Sequence, residues 1–210
     1  MVSTLDYIGQ KFGVDITHKS PIEIFNINRV IMAQTLSELG FKVGAEIGVQ
    51  RGNHAQMLCS NNPGLHLYCV DYWNPYPNYH DFTKSLQVEK QKAIQVLAPY
   101  NCTFIEKFSM DALADFEDES LDFVYIDAGH DWKNICDDVF EWPKKVHPGG
   151  IVFGHDFKRT PSNNYENAVR SVVSAYMYQF RVRPWFILGE PGPHDHMYRE
   201  GTQAWMYVKS

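Results

Sequence analysis

Four acidic residues stand inside or at the end of apolar segments, where a carboxylate is costly to keep without a partner. Glu46 lies in Val43-Gly-Ala-Glu-Ile-Gly-Val-Gln-Arg-Gly-Asn53, and Asp71 ends Leu67-Tyr-Cys-Val-Asp71. Asp127 ends Asp122-Phe-Val-Tyr-Ile-Asp127, and Asp156 closes Gly150-Ile-Val-Phe-Gly-His-Asp156. The first segment has the spacing Glu46-x-Gly48-x-x-x-Gly52. Glycines there let backbone approach a ligand closely, while the acid would repel a pyrophosphate and suit a cationic group. Asp71 is placed to accept hydrogen bonds from a ribose diol. The dinucleotide spacing Gly-x-Gly-x-x-Gly is absent, which disfavours an ordinary NAD dehydrogenase.

Asp127, His130 and Asp156 invite a metal reading, two strand-end carboxylates and an imidazole on neighbouring loops. The competing reading has Asp127 capping the next helix and Asp156 bonding nearby backbone. His130 and His155 are also candidates for a general base, since imidazole titrates near neutral pH. His194 and His196 are spaced like ligands, but their Pro/Gly-rich loop equally suits a lid over an acceptor. The stretch Tyr72-Trp-Asn-Pro-Tyr-Pro-Asn-Tyr-His80 reads as a rigid connector, a wall over a base, or a platform for a sugar or aromatic ring. Asp137 and Asp138 are expected on a helix, at least one of them on its solvated face.

The elements that must position these groups alternate. Apolar residues at helical spacing predict a helix over residues 27–39, ended by Gly40. Strands are expected at residues 42–48, 66–71, 102–106, 121–126 and 150–154, with helical segments at 52–60, 81–98, 111–116 and 132–145. Strands apolar throughout fit a parallel sheet covered on both faces, and the alternation implies right-handed crossovers. The expectation is a doubly wound, mostly parallel, seven-stranded Rossmann-like α/β sheet with its ligand at the carboxyl ends of the strands. After a helix over 165–178, two β-rich segments (185–188 and 204–209) predict an antiparallel hairpin at the sheet edge.

The 210 residues, 44% of them apolar, suffice for one globular core. A net charge of −6 argues against a partner bound by phosphate neutralisation, so no nucleic acid is expected. The four cysteines form no Cys-x-x-Cys pair and read as reduced thiols of a cytoplasmic protein. There is no recognisable signal peptide, and no apolar run approaches the ~20 residues of a membrane span. The sequence leaves oligomeric state, including a homo-oligomer, open.

With these residues in view, the chain resembles the class I S-adenosylmethionine-dependent methyltransferases, over roughly residues 40–160 and in outline at the C-terminal hairpin. Within them it is similar to the small stand-alone type that includes macrocin-like O-methyltransferases and relatives of cephalosporin hydroxylase. The narrower match rests on Val70-Asp-Tyr-Trp73, Ser120 to His130, Asp137-Asp138 and Pro148 to Asp156. The resemblance implies a methyltransferase domain over 41–210, with residues 1–40 as a helical segment covering the acceptor and cofactor cleft. It places Glu46, Gly48 and Gly52 at the amino-acid and ribose end of S-adenosylmethionine, Asp71 on the ribose, Tyr72 on the adenine face, and Ser109 and Met110 at the adenine edge. Asp127 would lie near the transferred methyl group, with His130, His155 or Asp127 as catalytic residues. A divalent ion, magnesium or manganese, would sit on Asp127, Asp156 and His130. Phe157, where those families carry a further metal-binding Asp or Asn, is a departure. The implied acceptor is a small molecule or carbohydrate. A metal-dependent hydroxylase-like enzyme or lyase on the same scaffold, and a non-catalytic cofactor binder, are the rival readings.

Overall fold

A computed structural model describes residues 2–74, 85–157, 167–189 and 203–210. Eight strands form one sheet in the order β1-β7-β8-β6-β5-β2-β3-β4. They are β1 (Ile22–Ile24), β2 (Val43–Ile47), β3 (His66–Val70), β4 (Cys102–Ile105), β5 (Leu121–Ile126), β6 (Val146–Gly154), β7 (Trp185–Leu188) and β8 (Ala204–Val208). Only β8 is reversed, antiparallel to both β6 and β7, and every other pairing is parallel.

The central strand β5 shows why the sheet lies between two layers of helices. Its side chains alternate faces with period two. Phe123 and Tyr125 enter one core with residues of α2 (Arg29–Glu38) and α3 (Asn53–Asn61). Val124 and Ile126 enter the other, with residues of α6 (Trp132–Glu141) and α7 (Val169–Gln179). α1 (Thr4–Phe12) and α4 (Leu86–Leu97) join the first layer, and the short α5 (Ser109–Ala112) joins the second.

The helix α2 forms where the periodicity over residues 27–39 predicts one. Asn28 caps α2 by accepting from the Ile31 amide at 2.9 Å, and the turn closes at Gly40 with Phe41 N–H donating to the Leu36 carbonyl at 3.1 Å.

Two expectations need correction. The sheet has eight strands because Ile22–Ile24, within the expected helical segment 1–40, pairs with β7. Three residues with a single buried-exposed-buried alternation are too short for periodicity to reveal. The β7–β8 pair is consequently one strand in from the edge, with β1 covering it. β6 also starts four residues early, at Val146, passing through Pro148-Gly149-Gly150. The strand absorbs that apparent breaker through a register irregularity against Leu121 to Phe123, and Gly149 N–H donates to the Lys209 carbonyl at 2.8 Å. Among the described residues no helix is long and apolar enough to cross a membrane.

Candidate active site

The glycine turn after β2 is held mainly by the protein's own groups. Gly48 has φ +92°, and a Cβ there would lie 2.3 Å from the carbonyl oxygen of Asp127. Its glycine character lets the carboxyl ends of β2 and β5 cross at backbone distance, where Asp127 N–H donates to the Ile47 carbonyl at 2.8 Å. At Gly52, φ +79°, a Cβ would meet the Ala93 Cα of α4 at 3.1 Å. Gly48→Ala combines a left-handed backbone with a backbone clash, and should destabilise the fold by about 3 kcal/mol or more. A melting curve should show a loss on the order of 10 °C; an unchanged midpoint would contradict this packing.

Asp71 clamps that turn. Its Oδ2 accepts from the amides of Val49 (2.9 Å) and Gln50 (2.8 Å), and its Oδ1 from that of Trp73 (3.1 Å). The Trp73 indole N–H donates back to the Gln50 carbonyl at 2.8 Å. Gln50 and Trp73 both have positive φ, 50° and 47°, so the clamp holds a strained turn. Burial pushes the Asp71 carboxyl up, and the backbone amides oppose that shift.

Beyond the turn, titratable side chains form a line across the carboxyl ends of β2, β5 and β6. Glu46 is 1% exposed, and its Oε2 lies 3.2 Å from His54 Nδ1. Burial raises its carboxyl, with His54 opposing. The His54 ring packs on Tyr125 with centroids 3.9 Å apart, and the Tyr125 hydroxyl donates to Asp127 Oδ2 at 3.1 Å. His130 Nε2 lies 3.3 Å from Asp127 Oδ1 and 3.2 Å from Asp156 Oδ2. Asp156 Oδ2 is 3.7 Å from His155 Nδ1, and His155 Nε2 is 3.1 Å from Arg29 Nη2. Asp156 has φ 56°, a strained conformation that turns its carboxylate back towards His130. The side chains of Asp127, His130 and Asp156 are 14–23% exposed.

The structure therefore brings Asp127, His130, His155 and Asp156 together at one end of the sheet. One oxygen or nitrogen from each of Asp127, His130 and Asp156 lies within 4.8 Å of the others. His54, Tyr125 and Arg29 escape the sequence reading. His54 could have been found from its place two residues beyond Gly52, and Tyr125 from sharing a strand face with Asp127. Arg29 carries no local signal, because only the tertiary fold sets α2 against β6.

On the other flank, Tyr72 stacks on Phe108 with centroids 3.9 Å apart and ring planes 19° apart. This contact joins the chain after β3 to the chain after β4, where Ser109 and Met110 begin α5. The Ser109 hydroxyl donates to Asp138 Oδ1 and accepts from the Trp142 indole N–H at 2.6 Å. One lone pair of Ser109 remains for a ligand. Of the two aspartates on α6, Asp137 pairs with exposed Lys133, whereas Asp138 is 2% exposed. The histidines at 194 and 196, and the stretch after Asn74 to His80, lie outside the described residues.

Burial raises the Asp138 carboxyl to about 7, with Ser109 opposing. The folded state thus holds this proton more tightly than the unfolded chain. Stability contributed by Asp138 is full below its unfolded value and falls as pH rises towards about 7. Asp138→Asn, which retains an acceptor for Ser109, should stabilise the protein by up to about 3 kcal/mol at pH 8 and hardly at all at pH 4. Chemical denaturation at the two pH values reads the difference; equal effects would contradict it.

A mostly parallel sheet with one reversed strand, carrying a glycine turn and a strand-end acid at its carboxyl edge, defines a class I methyltransferase fold. The chain belongs to the family described as "Methyltransferase domain", whose profile matches residues 45–157, more than half of its length. No curated protein matches the sequence. Among solved structures, cofactor-bound Rv0187 from MTB is 16% identical, with TM-score 0.64 over 87% of this chain and 79% of that one. An O-methyltransferase from Bacillus cereus in complex with SAH is 17% identical, with TM-score 0.59 over 98% and 90%. The O-methyltransferase TomG from Streptomyces achromogenes, involved in tomaymycin synthesis and in complex with SAM, is 14% identical, with TM-score 0.59 over 99% and 88%.

Proposed function

We propose that this methyltransferase moves the methyl group of S-adenosylmethionine to a hydroxyl oxygen of a small-molecule or carbohydrate acceptor. The observation that carries the reading is His130, whose Nε2 stands between the carboxylates of Asp127 and Asp156. Methyl transfer is an in-line displacement at carbon, so the protein must orient the acceptor and take up its proton. In this reading His130 takes the proton, and the two carboxylates compensate the imidazolium charge as it forms. Glu46, Gly48, Gly52 and Asp71 flank the cofactor's amino-acid and ribose end, and Tyr72, Ser109 and Met110 its adenine. Residues 1–40 cover the cleft, a role supported by Arg29 reaching His155. The O-methyltransferase neighbours support oxygen as the target.

A second reading is favoured by the 4.8 Å convergence of Asp127, His130 and Asp156. Two carboxylate oxygens and one imidazole nitrogen suit a divalent ion such as manganese, or magnesium less well because of the nitrogen. The Tyr125 hydroxyl on Asp127 would orient one ligand from behind. Such an ion would acidify the acceptor hydroxyl, while His155, its Nε2 accepting from Arg29 and its Nδ1 facing Asp156, would position that carboxylate.

Metal analysis of the purified protein, with methyl transfer assayed before and after chelation, separates the two. The His130-base reading expects activity that survives EDTA at full rate. A stoichiometric divalent ion, whose removal abolishes turnover and whose return restores it, would replace it with the second.

A further inference from the structure

We propose that Cys59 and Cys102 are a peroxide-sensitive dithiol that closes to a disulfide between α3 and the edge strand β4. Three of the four cysteines converge on one face of the sheet although Cys59 and Cys102 are 43 residues apart in sequence. The Cys59 and Cys102 sulfurs lie 3.6 Å apart, and all four cysteines are free thiols. A disulfide needs about 2.05 Å, so the two sulfurs have ~1.5 Å to close.

The three thiols are unequal. Cys59 is 5% exposed and Cys69 0%, while Cys102, the first residue of the edge strand, is partly exposed. The adjacent Cys59 sulfur pulls the Cys102 thiol down, with the nearby His66 adding to the effect, while that same contact and burial push Cys59 up. The most accessible sulfur of the group is thus the one favoured as thiolate, the form that attacks peroxides.

The chemistry balances with a hydroperoxide as oxidant. The Cys102 thiolate attacks one peroxide oxygen and the O–O bond breaks. With hydrogen peroxide the leaving hydroxide takes a proton to become water, and Cys102 becomes a sulfenic acid. The Cys59 sulfur then attacks the Cys102 sulfur and expels hydroxide, which leaves as water with the Cys59 proton. Two thiols lose two electrons in total, and one peroxide is reduced to two waters.

The pair lies away from the cofactor cleft, since Cys102 opens β4 at its amino end and Cys59 is in the last turn of α3. Cys136, on α6 against the opposite core, is an internal control.

The full chain, reduced, desalted and treated with hydrogen peroxide, should fall from four free thiols to two and recover all four with dithiothreitol. Chymotryptic cleavage after Tyr68 separates Cys59 from Cys69, so a non-reducing peptide map should link Cys59 to Cys102 and leave Cys136 reduced. Cys69→Ser should preserve the link and Cys59→Ser should remove it. Four thiols persisting, oxidation of Cys102 to sulfinic acid without a link, or a link to Cys69 or Cys136 in the wild-type chain would each overturn the proposal. The wild-type map decides the matter even if a variant fails to fold.

Discussion

Asp71→Ala should weaken S-adenosylmethionine binding by at least ~100-fold and destabilise the free protein at the same time. Both effects come from one carboxylate. It accepts from three backbone amides, Val49, Gln50 and Trp73, and hydrogen bonds to a charged acceptor each contribute about 1.5–3 kcal/mol. Removing it leaves donors of a strained turn without their acceptor, at a stability cost on the order of 4–5 kcal/mol, the low end of three such bonds because Gln50 is exposed to water. In the proposed reading the same turn faces the cofactor's ribose, so affinity should fall with it. Asp71→Asn separates the two contributions, because its single carbonyl oxygen can keep part of the clamp but not serve the ribose diol as well. Calorimetric affinity and a thermal melt on both variants read them. Wild-type affinity in Asp71→Ala would remove Asp71 from the cofactor site altogether.

His130→Ala should lower methyl-transfer kcat by ~10²–10⁴-fold, the range expected for loss of a positioned base. The affinity for S-adenosylmethionine should change little, since His130 touches the carboxylates of Asp127 and Asp156 and not the glycine turn. Release of S-adenosylhomocysteine across a panel of hydroxyl acceptors measures kcat, and calorimetry measures the cofactor. The remaining activity should lose its acidic limb in the pH profile, because the group that must be neutral to accept the proton is gone. A variant with full kcat would exclude His130 as the base. A variant that fails equally in binding would mark it as part of the cofactor pocket instead.

Much of this arrangement was legible because strand ends announce themselves. Glu46, Asp71, Asp127 and Asp156 each interrupt or end an apolar run, and a doubly wound sheet gathers such ends along one edge. Their partners were harder to read. His54 and Tyr125 have a relation to the glycine turn and to strand period, but nothing in sequence says that their rings meet. Arg29 reaches His155 across 126 residues, a contact set only by how α2 packs. β1 escaped for a different reason, since three residues cannot display a period. The spacing of Gly48 and Gly52 predicts openings towards a ligand, and in the fold they also admit Asp127 and α4 at backbone range. Asp138 resembles its half-exposed neighbour Asp137 in every local respect, and only the packing of α6 against Trp142 and Ser109 distinguishes them.

The most direct test is isothermal titration of the purified chain with S-adenosylmethionine. One saturable site per chain is expected, with a dissociation constant of about 1–100 μM, in the range of ordinary enzyme substrates. No binding heat up to millimolar cofactor, at two temperatures, would contradict the assignment of this cleft to S-adenosylmethionine.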